Sequence, residues 1–115
     1  MSDWAQNRLE SRIIETVNTL IATGVIKNPK LSNFAYITDI NISKDKAYAT
    51  LFVNCFDEKQ LHNSVAALQS AAGFIQAKLA SVLKTKNTPK LSFVVDETER
   101  TADRIEKILD SLKNE

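Results

Sequence analysis

The chain has 115 residues, which fits one domain and leaves little room for a second core. Hydrophobic residues make up 43% and charged residues 25%, the proportions of an ordinary folded domain, which argues against both disorder and membrane spanning. A formal net charge of +1 lacks the large positive excess of a non-specific nucleic-acid binder.

The start, Met1-Ser2-Asp3-Trp4, lacks the basic-then-apolar layout of a secretory signal, and no run approaches the roughly 18 apolar residues of a spanning helix. A cytoplasmic protein without membrane contact is the expectation. Leu9, Ile13, Val17, Leu20 and Ile21 recur at helical spacing, so a first helix is predicted from Ser2 to Thr23, with Gly24 placed to end it and Trp4 as a cap over the core. Lys27-Asn28-Pro29-Lys30 reads as a loop, because proline lacks the backbone donor and disfavours helix in the residue before it. Phe34–Ser43 and Ala47–Phe56 alternate and are rich in β-branched and aromatic residues, so they read as an antiparallel hairpin around Lys44-Asp45-Lys46.

In the second strand Ala49, Leu51, Val53 and Cys55 share one face, expected against helices, while Tyr48, Thr50, Phe52 and Asn54 share the other. Cys55 is the single cysteine and His62 the single histidine, so neither a disulfide nor a multi-cysteine or paired-histidine metal site can form within the chain. Asp57-Glu58-Lys59-Gln60 has the form of a capping box, with Gln60 reaching back. From there Leu61, Val65, Leu68, Ala72, Ile75, Leu79 and Val82 form one apolar stripe to about Leu83, with a kink expected at Ser70-Ala71-Ala72-Gly73. Leu91, Phe93 and Val95 alternate as a third strand, and Ile105, Ile108, Leu109 and Leu112 mark a last helix. The order αββαβα, with a kinked central helix, predicts a single α+β domain over residues 1–115, its helices on one face of a three-stranded sheet.

Charge is unevenly spread along that order. Residues 76–90 hold Lys78, Lys84, Lys86 and Lys90 with no acid among them, whereas residues 96–106 hold Asp96, Glu97, Glu99, Asp103 and Glu106 against Arg100 and Arg104. The first group is a candidate phosphate-facing segment. Asp39, Asp45, Asp96 and Glu97 lie at strand ends without a nucleophile pattern, a phosphate-cradling loop or metal-ligand spacing, so no catalytic residue is assigned and the chain is not read as an enzyme.

Asn28-Pro29-Lys30-Leu31, Tyr36-Ile37-Thr38-Asp39-Ile40-Asn41-Ile42-Ser43-Lys44-Asp45, Ala67-Leu68, Ala71-Ala72-Gly73-Phe74-Ile75 and Thr88-Pro89-Lys90-Leu91-Ser92-Phe93 together resemble the ribosome-binding factor A family, in order and spacing, from about Arg8 to Leu112. The resemblance implies a type II KH-like fold in which an Ala-x-Gly kink, here Ala71-Ala72-Gly73, replaces a Gly-x-x-Gly loop. It further implies binding of the free or immature small ribosomal subunit through its RNA, late subunit maturation with processing of the 5′ end of that RNA, and a link to growth in the cold. No cofactor, metal or small-molecule substrate is implied, and the protein is expected to be monomeric.

Small side chains at Ala71, Ala72 and Gly73 would let a phosphate backbone approach the start of a helix. Gln76, Lys78, Lys84, Lys86 and Lys90 complete the candidate RNA-binding set. Gln76 and Lys84 through Lys86 stand where the family commonly has arginines, and Asn28 where aspartate is usual; lysine keeps the charge but loses arginine's planar, bidentate geometry. The alternative reading is a protein-interaction module, docking through the aromatic sheet face or the acidic last helix, and the near-zero net charge favours it.

Overall fold

The computed structural model describes residues 2–84 and 88–97, with side chains described from Asn7 onward. The elements run α1 (Ser2–Ala22), β1 (Ala35–Ile42), β2 (Tyr48–Cys55), a 3-10 turn (Glu58–Gln60), α2 (Leu61–Ser70), α3 (Ala72–Leu83) and β3 (Lys90–Val95). The α+β order expected from the sequence is present up to β3, with the central helix divided in two. The last helix, expected around Ile105 to Leu112, and the side chain of Trp4 lie outside the described residues.

Helix α1 buries Ile13, Val17 and Ile21, spaced four apart, with Leu9 and Leu20 packed beside them. It ends at Gly24, which takes φ +73° and donates its N–H to the Ile21 carbonyl at 3.2 Å. A side chain disfavours that left-handed closure, which is why glycine serves there.

Strands β1 and β2 pair antiparallel, from Ala35 opposite Cys55 to Ile42 opposite Ala49. Strict alternation along β1 would put Ile37 and Ile40 on opposite faces, yet both are buried. Thr38 is an extra residue: the register passes from Ile37 opposite Val53 to Asp39 opposite Phe52, a bulge that returns Ile40 and Ile42 to the core. The Thr38 hydroxyl lies 3.2 Å from the Phe52 carbonyl and also meets the Asp96 carboxylate just beyond β3, so the bulge reaches across the sheet. In the hairpin loop Asp45 accepts from the Ser43 hydroxyl at 2.7 Å and the Ala47 amide at 3.0 Å. These two bonds lower its pKa below the ordinary carboxylate value. Their contribution to the turn is therefore present at neutral pH and is lost as pH falls through the lowered pKa.

Strand β3 joins β2 in parallel, with Ala49 opposite Leu91 and Val53 opposite Val95. One core results: Ala49, Leu51, Val53, Cys55, Leu91 and Phe93 of the sheet face Ile13, Val17 and Ile21 of α1, Leu61 and Leu68 of α2, and Ala72, Ile75 and Leu79 of α3. The helices thus cover one face, and the Cys55 thiol is buried in it. The apolar stripe departs from expectation at its end, where Val82 is exposed and Leu83 packs on the core instead. Along α3 the inward face runs Ala72, Ile75, Leu79 and Leu83, so its last step is four residues rather than three. The capping box is also only half formed. Asp57 accepts from the Lys59 amide at 3.1 Å, but Gln60 makes no reciprocal cap bond, because the 3-10 turn intervenes and α2 starts at Leu61.

Each sheet edge is met by a side-chain amide. Asn18 of α1 accepts from the Ile37 amide at 2.7 Å and donates to the Ile37 carbonyl at 3.3 Å. Gln69 of α2 accepts from the Phe93 amide at 2.9 Å and donates to the Leu91 carbonyl at 3.4 Å. Each carboxamide offers the donor and acceptor that a further strand would offer, so the middle of each edge is occupied at that point. Replacing Asn18 with Ala leaves the Ile37 N–H without its partner; the expected loss is about 1–3 kcal/mol, read as a lower urea midpoint at unchanged m value.

Candidate nucleic-acid interface

The site grows from the break between α2 and α3. Ala71 leaves helical geometry at φ −92° and ψ 7°, in the sparsely populated bridge region. Its N–H is shared between the Ala67 and Leu68 carbonyls, at 3.1 Å each, and its carbonyl takes the Ile75 amide at 2.9 Å. No side chain caps the start of α3. Ala72 is buried against the core, Ala71 is half-buried, and Gly73 is exposed.

Gly73 is not required by the packing of the protein itself. A Cβ built on it meets nothing within 4 Å, and its φ is not positive. A helical glycine costs about 1 kcal/mol relative to alanine, and here the gain is a bare stretch of backbone facing outward. Gly73, Ala77 and Ser81 follow one another at intervals of four on this exposed side of α3. The strip is flat as well as bare.

The described basic residues of the candidate set lie on α3, at its end and at the start of β3. Lys78 is exposed, its Nζ 5.5 Å from the centroid of the Phe74 ring, a cation–π contact. Lys84 closes α3, donating its N–H to the Ala80 carbonyl at 2.9 Å while holding φ 55°, a left-handed position costing about 1–2 kcal/mol for a residue with a side chain. It stands 11 residues beyond Gly73, about 16 Å along the helix. Lys90 is exposed at the first position of β3, with its N–H on the Ala47 carbonyl at 2.8 Å. Lys86 lies outside the described residues. Helices α2 and α3 contain no acidic residue.

Gln76 differs from the rest of the candidate set. It is half-buried and turned toward the sheet, its Oε1 accepting from the Leu91 amide at 3.4 Å. With Gln69, it ties the helix pair to β3.

The sequence reading missed the opposite wall. Val25, Ile26, Lys27 and Asn28, in the loop after α1, face Ala71 and Phe74 across a cleft of about 320 Å³. Phe74 carried a legible signal: it falls between Ala72 and Ile75 but off the inward stripe, so an aromatic ring is placed on the outer side beside the kink. A larger cleft of about 510 Å³ lies between α1 and Leu83, lined by Arg8, Arg12 and Glu15 among others; it carries both signs of charge. His62 is exposed at the start of α2, and no group of three metal-ligating side chains occurs among the described residues.

Three helices on one face of a sheet, with β1 and β2 antiparallel, β3 joining β2 in parallel, and a break between the two crossover helices, define a KH-like domain. The family model described as ribosome-binding factor A matches residues 5–109, and the chain belongs to that family. A relative from Borreliella burgdorferi, named ribosome-binding factor A, is 35% identical over 106 residues, covering 91% of this chain and 88% of its own. The crystal structure of ribosome-binding factor A from Thermus thermophilus superposes with a TM-score of 0.67 at 22% identity, covering 77% of this chain and 92% of that one. A homology model of the Thermus thermophilus protein, fitted into a cryo-electron-microscopy map of its complex with the 30S subunit, superposes with a TM-score of 0.56 at 20% identity, over 75% of this chain and 93% of that one.

Because the interior does not need Gly73, Gly73→Ala is expected to hold or raise stability by up to about 1 kcal/mol. Lys84→Gly, which relieves the left-handed lysine, should raise it by about 1 kcal/mol. Urea unfolding of the two variants checks both values.

Proposed function

We propose that this protein binds the free or immature small ribosomal subunit and assists its late maturation, including 5′-end processing of its RNA, without making or breaking a bond itself. The reading is carried by one observation in a chain of this family: a broken helix pair free of acids, with a bare glycine at the break and lysines beyond it. A bare backbone and point charges suit phosphate contacts, which fix position rather than read bases. Ala71, Ala72 and Gly73 would admit the RNA backbone, Lys78 and Lys84 would hold it, and Lys86 and Lys90 would extend the track. Gln76 has its place in holding α3 to β3. The complex of the Thermus thermophilus relative with the 30S subunit supports the choice of partner.

The mechanism is a shift of population: a protein that binds one conformer of the immature subunit better than another favours it by that difference in affinity. No helix among the described residues is long and apolar enough to cross a membrane. A role in the cold belongs to the same proposal.

A second reading has its own support. Phe56 is 80% exposed and Phe34 61%, at the end of the hairpin where Ala35 pairs with Cys55, and the Phe56 ring lies 5.0 Å from that of Tyr36. Such an edge of aromatic rings suits a protein partner.

Co-sedimentation with purified small subunits separates the two. Lys78→Glu with Lys84→Glu should weaken binding at physiological salt and flatten its salt dependence, by about one unit of slope for each phosphate no longer neutralised. Loss of binding in Phe56→Ala, with Lys78→Glu and Lys84→Glu without effect, would replace the RNA reading with the protein-interface one. In a strain lacking the protein, small-subunit RNA with an unprocessed 5′ end should accumulate and growth should fail first in the cold; normal 5′ ends would remove that part of the proposal.

A further inference from the structure

The cleft beside the break has a chemistry that phosphate contacts alone leave unused. Two of its lining side chains expose apolar surface toward solvent, Val25 at 40% and Phe74 at 43%. They come from different elements, the loop after α1 and the first turn of α3, so the cleft has two apolar walls. Its charged groups are all cationic: Lys27 lines it, and Lys78 sits 5.5 Å from the Phe74 ring centroid. An apolar slot whose charged groups, among the described residues that line it, are cationic suits a flat apolar group that carries negative charge at its rim.

The loop wall is held in place by its own bonds. Asn28 donates its N–H to the Ile26 carbonyl at 3.1 Å, accepts the Leu31 amide at 3.0 Å on its carbonyl, and accepts the Lys30 amide at 3.0 Å on Oδ1. Gly24, at φ +73°, sets the turn that presents Val25. The opposite wall is part of α3, whose Ile75 is fully buried. A cleft built this way exists before its ligand arrives. At about 320 Å³ it lies at the small end of ligand sites, too small for a strand or helix of a partner.

The geometry points to this cleft as the seat of a single unpaired nucleobase of the bound RNA. The base stacks on the Phe74 ring with Val25 opposite, and Lys27 and Lys78 take the phosphates on either side. Stacking on an aromatic ring tolerates any base, and the Asn28 carboxamide at the mouth offers Nδ2 donors to a base edge. Gly73, directly before Phe74, lets the sugar-phosphate chain pass close to the helix. The inference rests on the RNA reading above and deepens it: the surface takes a looped or single-stranded segment rather than a continuous duplex, whose bases are already stacked.

The test uses the full chain and two probes, a single-stranded RNA hexanucleotide and a blunt RNA duplex, followed by nuclear magnetic resonance. The hexanucleotide should shift the Val25, Lys27, Asn28 and Phe74 signals more than the duplex does. Equal shifts with both probes, or none in these residues, would overturn the nucleobase seat. In small-subunit binding, Phe74→Leu should lose about tenfold in affinity, the size of one stacking contact, with the salt slope and thermal midpoint unchanged, and Phe74→Tyr should restore it. If Phe74→Leu binds normally while Lys78→Glu with Lys84→Glu does not, the seat falls and the phosphate surface stands. If neither change matters, both fall together.

Discussion

A three-stranded sheet leaves two rows of unpaired backbone groups, and the arrangement of this domain follows from how they are satisfied. Asn18 and Gln69 each present a carboxamide to an edge and thereby fix one helix against one outer strand. Helix α1 is set by β1 and the crossover helices by β3, with Gln76 adding a second tie. The loop leaving α1 and the break between α2 and α3 are therefore placed from opposite edges of the same sheet, and the cleft between them inherits the sheet's rigidity. Burial of the common core supplies most of the stabilisation; the carboxamides register the helices against the sheet edges.

How far the sequence could be read depended on whether a residue's role was periodic. Ile13, Val17 and Ile21 of α1, the inward face of β2 and the alternation of β3 were legible because burial repeats at 3.6 or 2 residues. The kink was legible from composition, since Gly73, a weak helix former, falls inside a strong apolar stripe. The bulge at Thr38 was not seen as such, although the spacing of Ala35, Ile37, Ile40 and Ile42 contains it: a step of three in a strand requires an extra residue. The half-formed cap at Asp57 went the other way, where a local motif was overridden by a 3-10 turn. Gln69 and Gln76 had no sequence signal, because an exposed helix glutamine looks the same whether it meets water or a strand edge. Gln76 joined the lysines through the resemblance alone, and the meeting of Val25, Lys27 and Phe74 has no periodic signal, because the cleft exists only when two segments meet in space.

Net charge conceals how unevenly the charge is placed. The total is near zero, yet α2 and α3 are free of acids and Lys27 stands across from them. Lysines in place of arginines make this a surface of point charges on flexible stems. Shape then matters more than hydrogen-bond geometry: the bare backbone at Gly73, the flat strip beyond it and the slot at Phe74 are the features with fixed form.

The parallel pairing of β3 with β2 carries a kinetic consequence. The hairpin of β1 and β2 closes a short loop, but β3 reaches Ala49 and Val53 only after the chain has run through both crossover helices. Pairings so distant along the chain are slow to form, because the entropy of closing the loop is lost before the stabilising interactions are made. The break and its flanking strip lie on that crossover, so they take their final shape only when the last strand docks. Assembly of the candidate surface and completion of the sheet are thus one cooperative event, and a molecule whose third strand has come away has lost that surface along with it.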